Sequence, residues 1–210
     1  MSAFTKLLVG FCLAAASVGG AVAGTVEDGN AALRQGNNTE ALRLYRLAAD
    51  DENNADAQYN IGLMYNGGIG VAQDYREAIK WYRLAAAQNH AYAHYNLGIM
   101  SKEGRGTPQD HTEALRLFRL AAAQGNANAQ FALGGAYYDA QGVGRDYAEA
   151  RKWYLLAAAQ GFAAAQYNLG VMYELGNGVV QDNREAVRWY RLAAAQGHSD
   201  AGFRAGLLSR

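Results

Sequence analysis

The sequence is poor in cysteine and proline and has no excess of charge of either sign. It contains one cysteine and one proline among 210 residues, and its 19 basic residues balance its 19 acidic ones. A single cysteine excludes a disulfide-stapled scaffold, and a single proline beside 25 glycines excludes a collagen. The balanced charge gives no electrostatic footprint for nucleic acid or an anionic membrane. The composition therefore indicates a globular protein of one or two domains.

The first 23 residues have the pattern of a secretory signal peptide. Lys6 supplies the basic start, residues 7–18 form the apolar stretch, and Ala21-Val22-Ala23 fits the motif that precedes a cleavage site. The alternative is an uncleaved membrane anchor, but two glycines interrupt a run that is already short for a span of about 20 residues. We therefore expect a periplasmic or secreted protein with no stable membrane insertion after cleavage.

Most of the remaining chain is one 36-residue repeat in tandem. Four full repeats follow one another without a gap, at residues 55–90, 91–126, 127–162 and 163–198. A divergent repeat with tetratricopeptide-like spacing precedes them at 24–54, and a half-repeat that would cap the array follows at 199–210. Repetition on this scale predicts an architecture in which each repeat contacts only its neighbours.

Each repeat contains the signals of two helices. The first helix carries a Leu-Gly or Ile-Gly pair at repeat positions seven and eight, and this glycine is expected to let the second helix approach closely. The second helix begins with an Asp-x-x-Glu capping box, as at Asp74 and Glu77, and ends before a glycine that suits a left-handed cap, as at Gly125. A Gly-x-Gly loop, as at Gly68 and Gly70, joins the two helices. Because this loop follows a helix rather than a strand, we do not interpret it as a phosphate-binding loop.

The second helix is predicted to bury one apolar face against the rest of the repeat. In the first full repeat this face is expected to contain Ala78, Trp81, Tyr82, Leu84 and Ala85. Equivalent residues recur in the later repeats, which indicates a core built from the same positions each time.

These repeats resemble the Sel-one-like repeats, a longer-loop relative of the tetratricopeptide repeat. The shared features are the leading Ala-x-Ala-Gln, the Leu-Gly pair, the Gly-x-Gly-Val loop and the Glu-Ala-x-x-Trp-Tyr-x-x-Ala-Ala pattern of the second helix. Departures occur at Ser101, at Ala140 and at Leu117-Phe118. The resemblance covers residues 55–198 and implies an all-α fold, a right-handed α-solenoid of stacked antiparallel helix pairs.

The resemblance also implies that the first helices line a concave groove that binds a segment of a partner. By analogy with tetratricopeptide domains, repeat positions five and six face this groove, where aromatic rings and amides could hold an extended peptide. Positions that vary between repeats are candidates for specificity. The residues expected in the groove are Tyr59, Asn60, Tyr95, Asn96, Phe131, Tyr167, Asn168, Tyr92, Lys102 and Tyr138. The alternative is that the aromatics pack between repeats and the asparagines cap local backbone.

The sequence contains no set of residues that indicates catalysis, a metal site or a cofactor. Zinc needs more ligands than the four histidines supply in this arrangement, and no serine or cysteine context suggests a nucleophile with its base. The predicted function is an exported, non-enzymatic protein–protein interaction scaffold or regulatory adaptor with a protein or peptide partner. One alternative is a carbohydrate-binding solenoid that stacks an envelope glycan on Tyr59, Tyr95 and Tyr167, and another is a hydrolase.

Overall fold

A computed structural model describes residues 23–209, so the predicted signal peptide lies outside the described residues except for its last position. Within 23–209 the chain forms eleven helices and no strand. In chain order they are α1 (Ala23–Arg34), α2 (Asn38–Glu52), α3 (Ala55–Gly67), α4 (Tyr75–Ala87), α5 (Ala91–Glu103), α6 (His111–Ala123), α7 (Ala127–Asp139), α8 (Tyr147–Ala159), α9 (Ala163–Leu175), α10 (Asn183–Ala195) and α11 (Ser199–Leu208). In the same range, no helix combines the length and the apolar character that a membrane-spanning segment needs.

The described chain divides into two compact units. The first comprises residues 23–100 and 104–108, and the second comprises residues 101–103 and 109–209. In the first unit α1 packs on α2 and α3 packs on α4, as antiparallel pairs. In the second unit α7 packs on α8 and α9 on α10, and α11 lies against α10. Each unit is therefore a stack of helix pairs.

The predicted capping boxes set the start of every second helix in the four full repeats. The Asp74 carboxylate accepts hydrogen bonds from the backbone N–H groups of Arg76 (2.9 Å) and Glu77 (3.0 Å). These bonds satisfy donors that the first turn of a helix leaves without a partner. The equivalent caps are Asp110, Asp146 and Asp182. The predicted helix starts are confirmed.

The second glycine of each loop is required by contact as well as by backbone conformation. Gly70 has a φ of +71°, and a Cβ added to it would lie 2.7 Å from the Cβ of Asn38, the first residue of α2. In the third full repeat, Gly142 approaches His111 in the same way. The loop of each of these repeats thus packs on the start of the preceding second helix, which links neighbouring repeats.

A tyrosine ring lies directly on a glycine inside four of the helix pairs. A Cβ added to Gly134 would lie 2.4 Å from the ring of Tyr154, and a Cβ added to Gly62 would lie 2.5 Å from the ring of Tyr82. The same contact joins Gly170 with Tyr190 and Gly29 with Tyr45. All four of these tyrosines are fully buried. The predicted close approach is confirmed, and its partner is an aromatic ring rather than a bare helix backbone.

The predicted apolar face of the second helix is wrong at one position. Leu84 is 48% exposed, whereas Ala78, Tyr82 and Ala85 are fully buried and Ile79 is nearly so. Residues at spacings of three and four share a helix face, and Leu84 lies two residues after Tyr82, which turns it outward. Leucines at the equivalent outward position are Leu47, Leu120, Leu156 and Leu192.

Replacing Gly134 with alanine is expected to lower the free energy of unfolding by about 1–3 kcal/mol, because the added methyl group overlaps the ring of Tyr154. The gain in helix propensity, at most about 1 kcal/mol, does not offset this overlap.

Gly135→Ala is the matched control, because it adds the same group to the next residue of α7, where the nearest atom is the Tyr154 hydroxyl at 3.8 Å. This variant is expected to be as stable as the wild type or slightly more stable. Urea unfolding measures both, and equal destabilisation by the two substitutions would contradict the proposed packing.

Candidate functional site

In three of the four full repeats, the aromatic ring at repeat position five packs against two other rings of its own repeat. Tyr59 on α3 stacks on His90 with ring centroids 4.6 Å apart and lies 5.8 Å from Tyr82. Equivalent trios are Phe131 with Phe162 and Tyr154, and Tyr167 with His198 and Tyr190. Tyr59, Tyr95, Phe131 and Tyr167 are all half-buried. Their rings therefore contribute to packing and still present part of their surface to solvent.

His90 has a structural role that sequence reasoning missed. Its Nδ1 accepts a hydrogen bond from the backbone N–H of Ala93 (3.1 Å) and so caps the start of α5. Because Nδ1 accepts, the ring proton is assigned to Nε2, which donates to the Asp56 carboxylate at 3.1 Å. The sequence does contain a signal for this capping role, because asparagine occupies the equivalent positions 54 and 126, and its side chain caps α3 and α7.

Tyr92 completes an accessible aromatic cluster at the junction of α3 and α5. Its ring lies 6.1 Å from those of both Tyr59 and His90, and at 36% exposure it is the most accessible aromatic of the predicted groove residues. The Asp56 side chain at the edge of these rings is 53% exposed. We call Tyr59, His90, Tyr92 and Asp56 the Tyr59 cluster.

The asparagines at repeat position six interact with tyrosines of the preceding repeat. The Asn96 amide lies 3.5 Å from the Tyr59 hydroxyl, at the outer limit of a hydrogen bond. Burial raises the pKa of the Tyr154 hydroxyl, and the nearby Asn168 amide opposes this rise. Asn60 is buried, while Asn96 and Asn168 are half-buried. These amide side chains are therefore hydrogen-bonded or partly shielded from solvent within the protein.

The two remaining predicted residues occupy repeat position twelve, near the end of the first helix. The Tyr138 hydroxyl accepts a hydrogen bond from the Asn177 amide (2.7 Å), and its ring lies 5.1 Å from that of Tyr147. Tyr138 is thus held in place by its neighbours. Lys102 is half-buried, and its backbone carbonyl accepts a hydrogen bond from Gln109 (2.8 Å).

Sequence reasoning also did not predict a hydrogen-bonded network of three side chains in the second unit. The Tyr190 hydroxyl donates to the Glu174 carboxylate (2.5 Å), which also accepts from the Arg204 guanidinium (2.7 Å). That guanidinium lies 5.9 Å from the centre of the Tyr167 ring. Burial and the adjacent carboxylate raise the pKa of the Tyr190 hydroxyl, and the bond to Glu174 raises the pKa of Arg204. Glu174 at position twelve of one repeat thus meets Arg204 at position six of the next, 30 residues later in the chain.

The chemistry of these surfaces is that of binding by ring stacking and hydrogen bonding. Aromatic faces, amides and two carboxylates are present at the positions described above. Within residues 23–209, no group of three or more histidine, cysteine, aspartate or glutamate side chains is placed to hold a metal ion.

Comparison with known proteins identifies the repeat type. The family model described as Sel1 repeat matches residues 22–53, 55–90, 91–126, 127–162 and 163–198. No curated protein matches the chain. Among solved structures, a Sel1 repeat protein from Oxalobacter formigenes is 34% identical with a TM-score of 0.80, over 94% of this chain and 81% of that one.

A protective antigen of uropathogenic Escherichia coli strains with an SLR fold is 38% identical with a TM-score of 0.83. The match covers 89% of this chain and 40% of the antigen, so the chain spans about two-fifths of that protein. An immunity protein from Pseudomonas aeruginosa is 23% identical with a TM-score of 0.58, over 89% of this chain and 70% of that one, and shares the fold alone. These likenesses confirm the all-α repeat-solenoid class.

The carboxylate of Asp56 is expected to stabilise the protein in a pH-dependent way. The hydrogen bond from His90 lowers the pKa of this carboxyl in the folded protein. A lowered pKa contributes stability above the unfolded value of about 4, and that contribution is lost as the pH falls through the folded pKa. Asp56→Asn keeps an acceptor for His90 but removes the charge. We expect the variant to be less stable by up to about 1 kcal/mol near neutral pH.

Urea unfolding over a pH series measures this difference, which should shrink as the pH falls below about 4. Asp200→Asn is the matched control, since Asp200 occupies the same repeat position in α11 and accepts a hydrogen bond from Ser199 instead. A difference between wild type and Asp56→Asn that stays constant down to the acid limit of the series would contradict the role assigned to the charge.

Proposed function

Because the chain belongs to the Sel1 repeat family, we propose that it is a non-enzymatic scaffold that binds a segment of a partner protein on the accessible side of its first helices. The observation that carries this proposal is the Tyr59 cluster, in which partly exposed rings are held in fixed positions by their neighbours. The proposal concerns the binding of a protein or peptide, and it requires no cofactor.

The rings of this cluster suit a binding surface because their side chains lose little conformational freedom when a partner binds. Tyr59 is stacked on His90, and His90 is itself fixed by its bonds to Ala93 and Asp56. Rigid aromatic side chains offer a large contact area at a low cost in conformational entropy.

The charge at the edge of the cluster favours a particular kind of partner segment. The half-exposed Asp56 carboxylate lies beside the rings and accepts a hydrogen bond from His90. Its remaining lone pairs can accept bonds from a partner. We therefore propose a segment that places an apolar or aromatic side chain on Tyr92 and a basic side chain near Asp56.

We also propose that the protein acts outside the cytoplasm, in the periplasm or after secretion. The pattern of residues 1–23 supports this proposal, since it matches a signal peptide in its basic start, apolar stretch and cleavage motif.

N-terminal sequencing of the protein purified from its native host tests this localisation. The expected mature chain begins at Gly24, directly after Ala21-Val22-Ala23. A mature chain that begins at Met1 or Ser2 would contradict the proposed export by a cleaved signal.

A photoreactive amino acid placed at position 92 tests the binding surface, and the same amino acid at position 84 is the control because Leu84 is exposed on the second helix of the same unit. Capture of one partner from position 92 and not from 84 is expected. With that partner purified, Tyr92→Ala should raise the Kd by about tenfold or more, as truncation of an aromatic anchor does.

Leu84→Ala should leave the Kd unchanged, and both variants should keep the wild-type Tm. Equal Kd values for Tyr92→Ala and the wild type would contradict the proposal. A titration with envelope glycan fragments addresses the carbohydrate alternative, because fragments that stack on Tyr59 or Tyr92 would change tyrosine fluorescence. Saturable glycan binding that Tyr92→Ala removes would also count against a protein partner.

A further inference from the structure

The start of α5 is capped by a side chain that can gain a proton. In α3 and α7 the cap is an amide, since Asn54 and Asn126 each accept a hydrogen bond of 2.9 Å from the backbone N–H of the third helical residue. In α5 the same bond runs from Ala93 to Nδ1 of His90, at 3.1 Å. The backbone conformation is shared as well, with φ −72° and ψ 113° at His90 against φ −69° and ψ 119° at Asn54. The cap of α5 therefore requires an Nδ1 that carries no proton.

A proton on Nδ1 replaces this hydrogen bond with a repulsion. Both nitrogens of a charged imidazole are donors, so Nδ1–H of His90 would face the backbone N–H of Ala93. The added positive charge would also lie at the N-terminus of α5, where the helix macrodipole disfavours a cation. Histidine is the side chain type whose charge changes between about pH 5 and pH 8.

The other titratable groups that face the His90 ring do not offset this loss. The Asp56 carboxylate on α3 lies 3.1 Å from Nε2 and favours a charged ring, but its side chain is 53% exposed, and water screens an ion pair at such a position. The remaining groups are phenols, which are uncharged near neutral pH. They are Tyr59 on α3, Tyr92 on α5 and, behind Tyr59, Tyr82 on α4.

The turn that this cap holds carries the accessible ring of the Tyr59 cluster. Tyr92 is the second residue of α5 and directly precedes Ala93. The His90 ring stacks on Tyr59 at 4.6 Å and lies 6.1 Å from the ring of Tyr92. Movement of His90 away from Ala93 thus alters the stack on Tyr59 and frees the turn that positions Tyr92.

We propose that His90 is a proton-sensitive switch, whose protonation releases the first turn of α5, separates the rings of the Tyr59 cluster and so weakens binding at this surface as the pH falls. The effect on binding rests on the proposed function, whereas the release of α5 is a property of the chain alone. The two parts are therefore measured separately.

The release of α5 is measured on the isotope-labelled full protein by NMR, in a series from about pH 8 to about pH 5. The His90 ring should carry its proton on Nε2 at the upper end. On acidification the Ala93 amide proton should move upfield with the same midpoint as the ring, because it loses its acceptor. The Ala57 amide is the internal control, since Asn54 caps it without titrating.

His90→Asn is the matched variant, because asparagine already fills this role at position 54 in the same backbone conformation. Its Ala93 amide should stay fixed over the series and its Tm should remain that of the wild type. The variant retains the buried His94 one turn further along α5, so a titration of His94 would appear in both proteins. The inference is overturned if Ala93 moves no more than Ala57, if Ala93 moves equally in His90→Asn, or if the neutral ring carries its proton on Nδ1.

The effect on binding is measured with the partner purified through the photoreactive amino acid at position 92. Its Kd for the wild type should rise at least about fivefold over the same series, as expected for the loss of one cap, while its Kd for His90→Asn stays constant. A constant wild-type Kd while Ala93 titrates would overturn the inference and leave the proposed function standing. Tyr92-independent binding at neutral pH would instead contradict the proposed function, and the release of α5 would still be decided by the Ala93 amide.

Discussion

The contact on which the structure depends is a tyrosine ring of the second helix lying on a glycine of the first. The ring takes the space where any other residue would have a Cβ, at 2.4–2.6 Å in the four pairs that show this contact. In three full repeats the tyrosine follows the glycine by 20 residues, and in the divergent first repeat by 16, as between Gly29 and Tyr45. The shorter loop after α1 is therefore accommodated while the contact is kept. This explains how a divergent sequence joins the same stack.

The same tyrosines support the surface that we assign to binding. Tyr82, Tyr154 and Tyr190 each pack on the position-five ring of their repeat. Each of these tyrosines thus packs the two helices of a pair together and also holds an accessible aromatic ring in place. Where no second helix follows in the described chain, as at α11, Phe203 loses that cover and Gly206 has no ring above it.

Most of the fold could be predicted from the sequence because its signals are local and recur every 36 residues. A cap such as Asp74 bonds to its own backbone neighbourhood, and the positive φ of a loop glycine such as Gly70 is also a local requirement, so a single repeat reveals both. Contacts between repeats were harder to predict, since the Glu174–Arg204 pair joins different positions of consecutive repeats. His90 was missed because imidazole caps helices less often than asparagine does. Leu84 was misplaced because it begins an apolar run, residues 84–87, that conceals which residues face outward.

A double-mutant cycle at Gly134 and Tyr154 tests the central contact most directly. Gly134→Ala introduces the overlap, and Tyr154→Leu removes the ring that it meets while keeping an apolar side chain in the core. The account predicts that the double variant is more stable than the sum of the single effects implies, with a coupling free energy of at least about 1 kcal/mol. Unfolding free energies that add to within about 0.5 kcal/mol would contradict the claim that the ring and the glycine occupy one shared space.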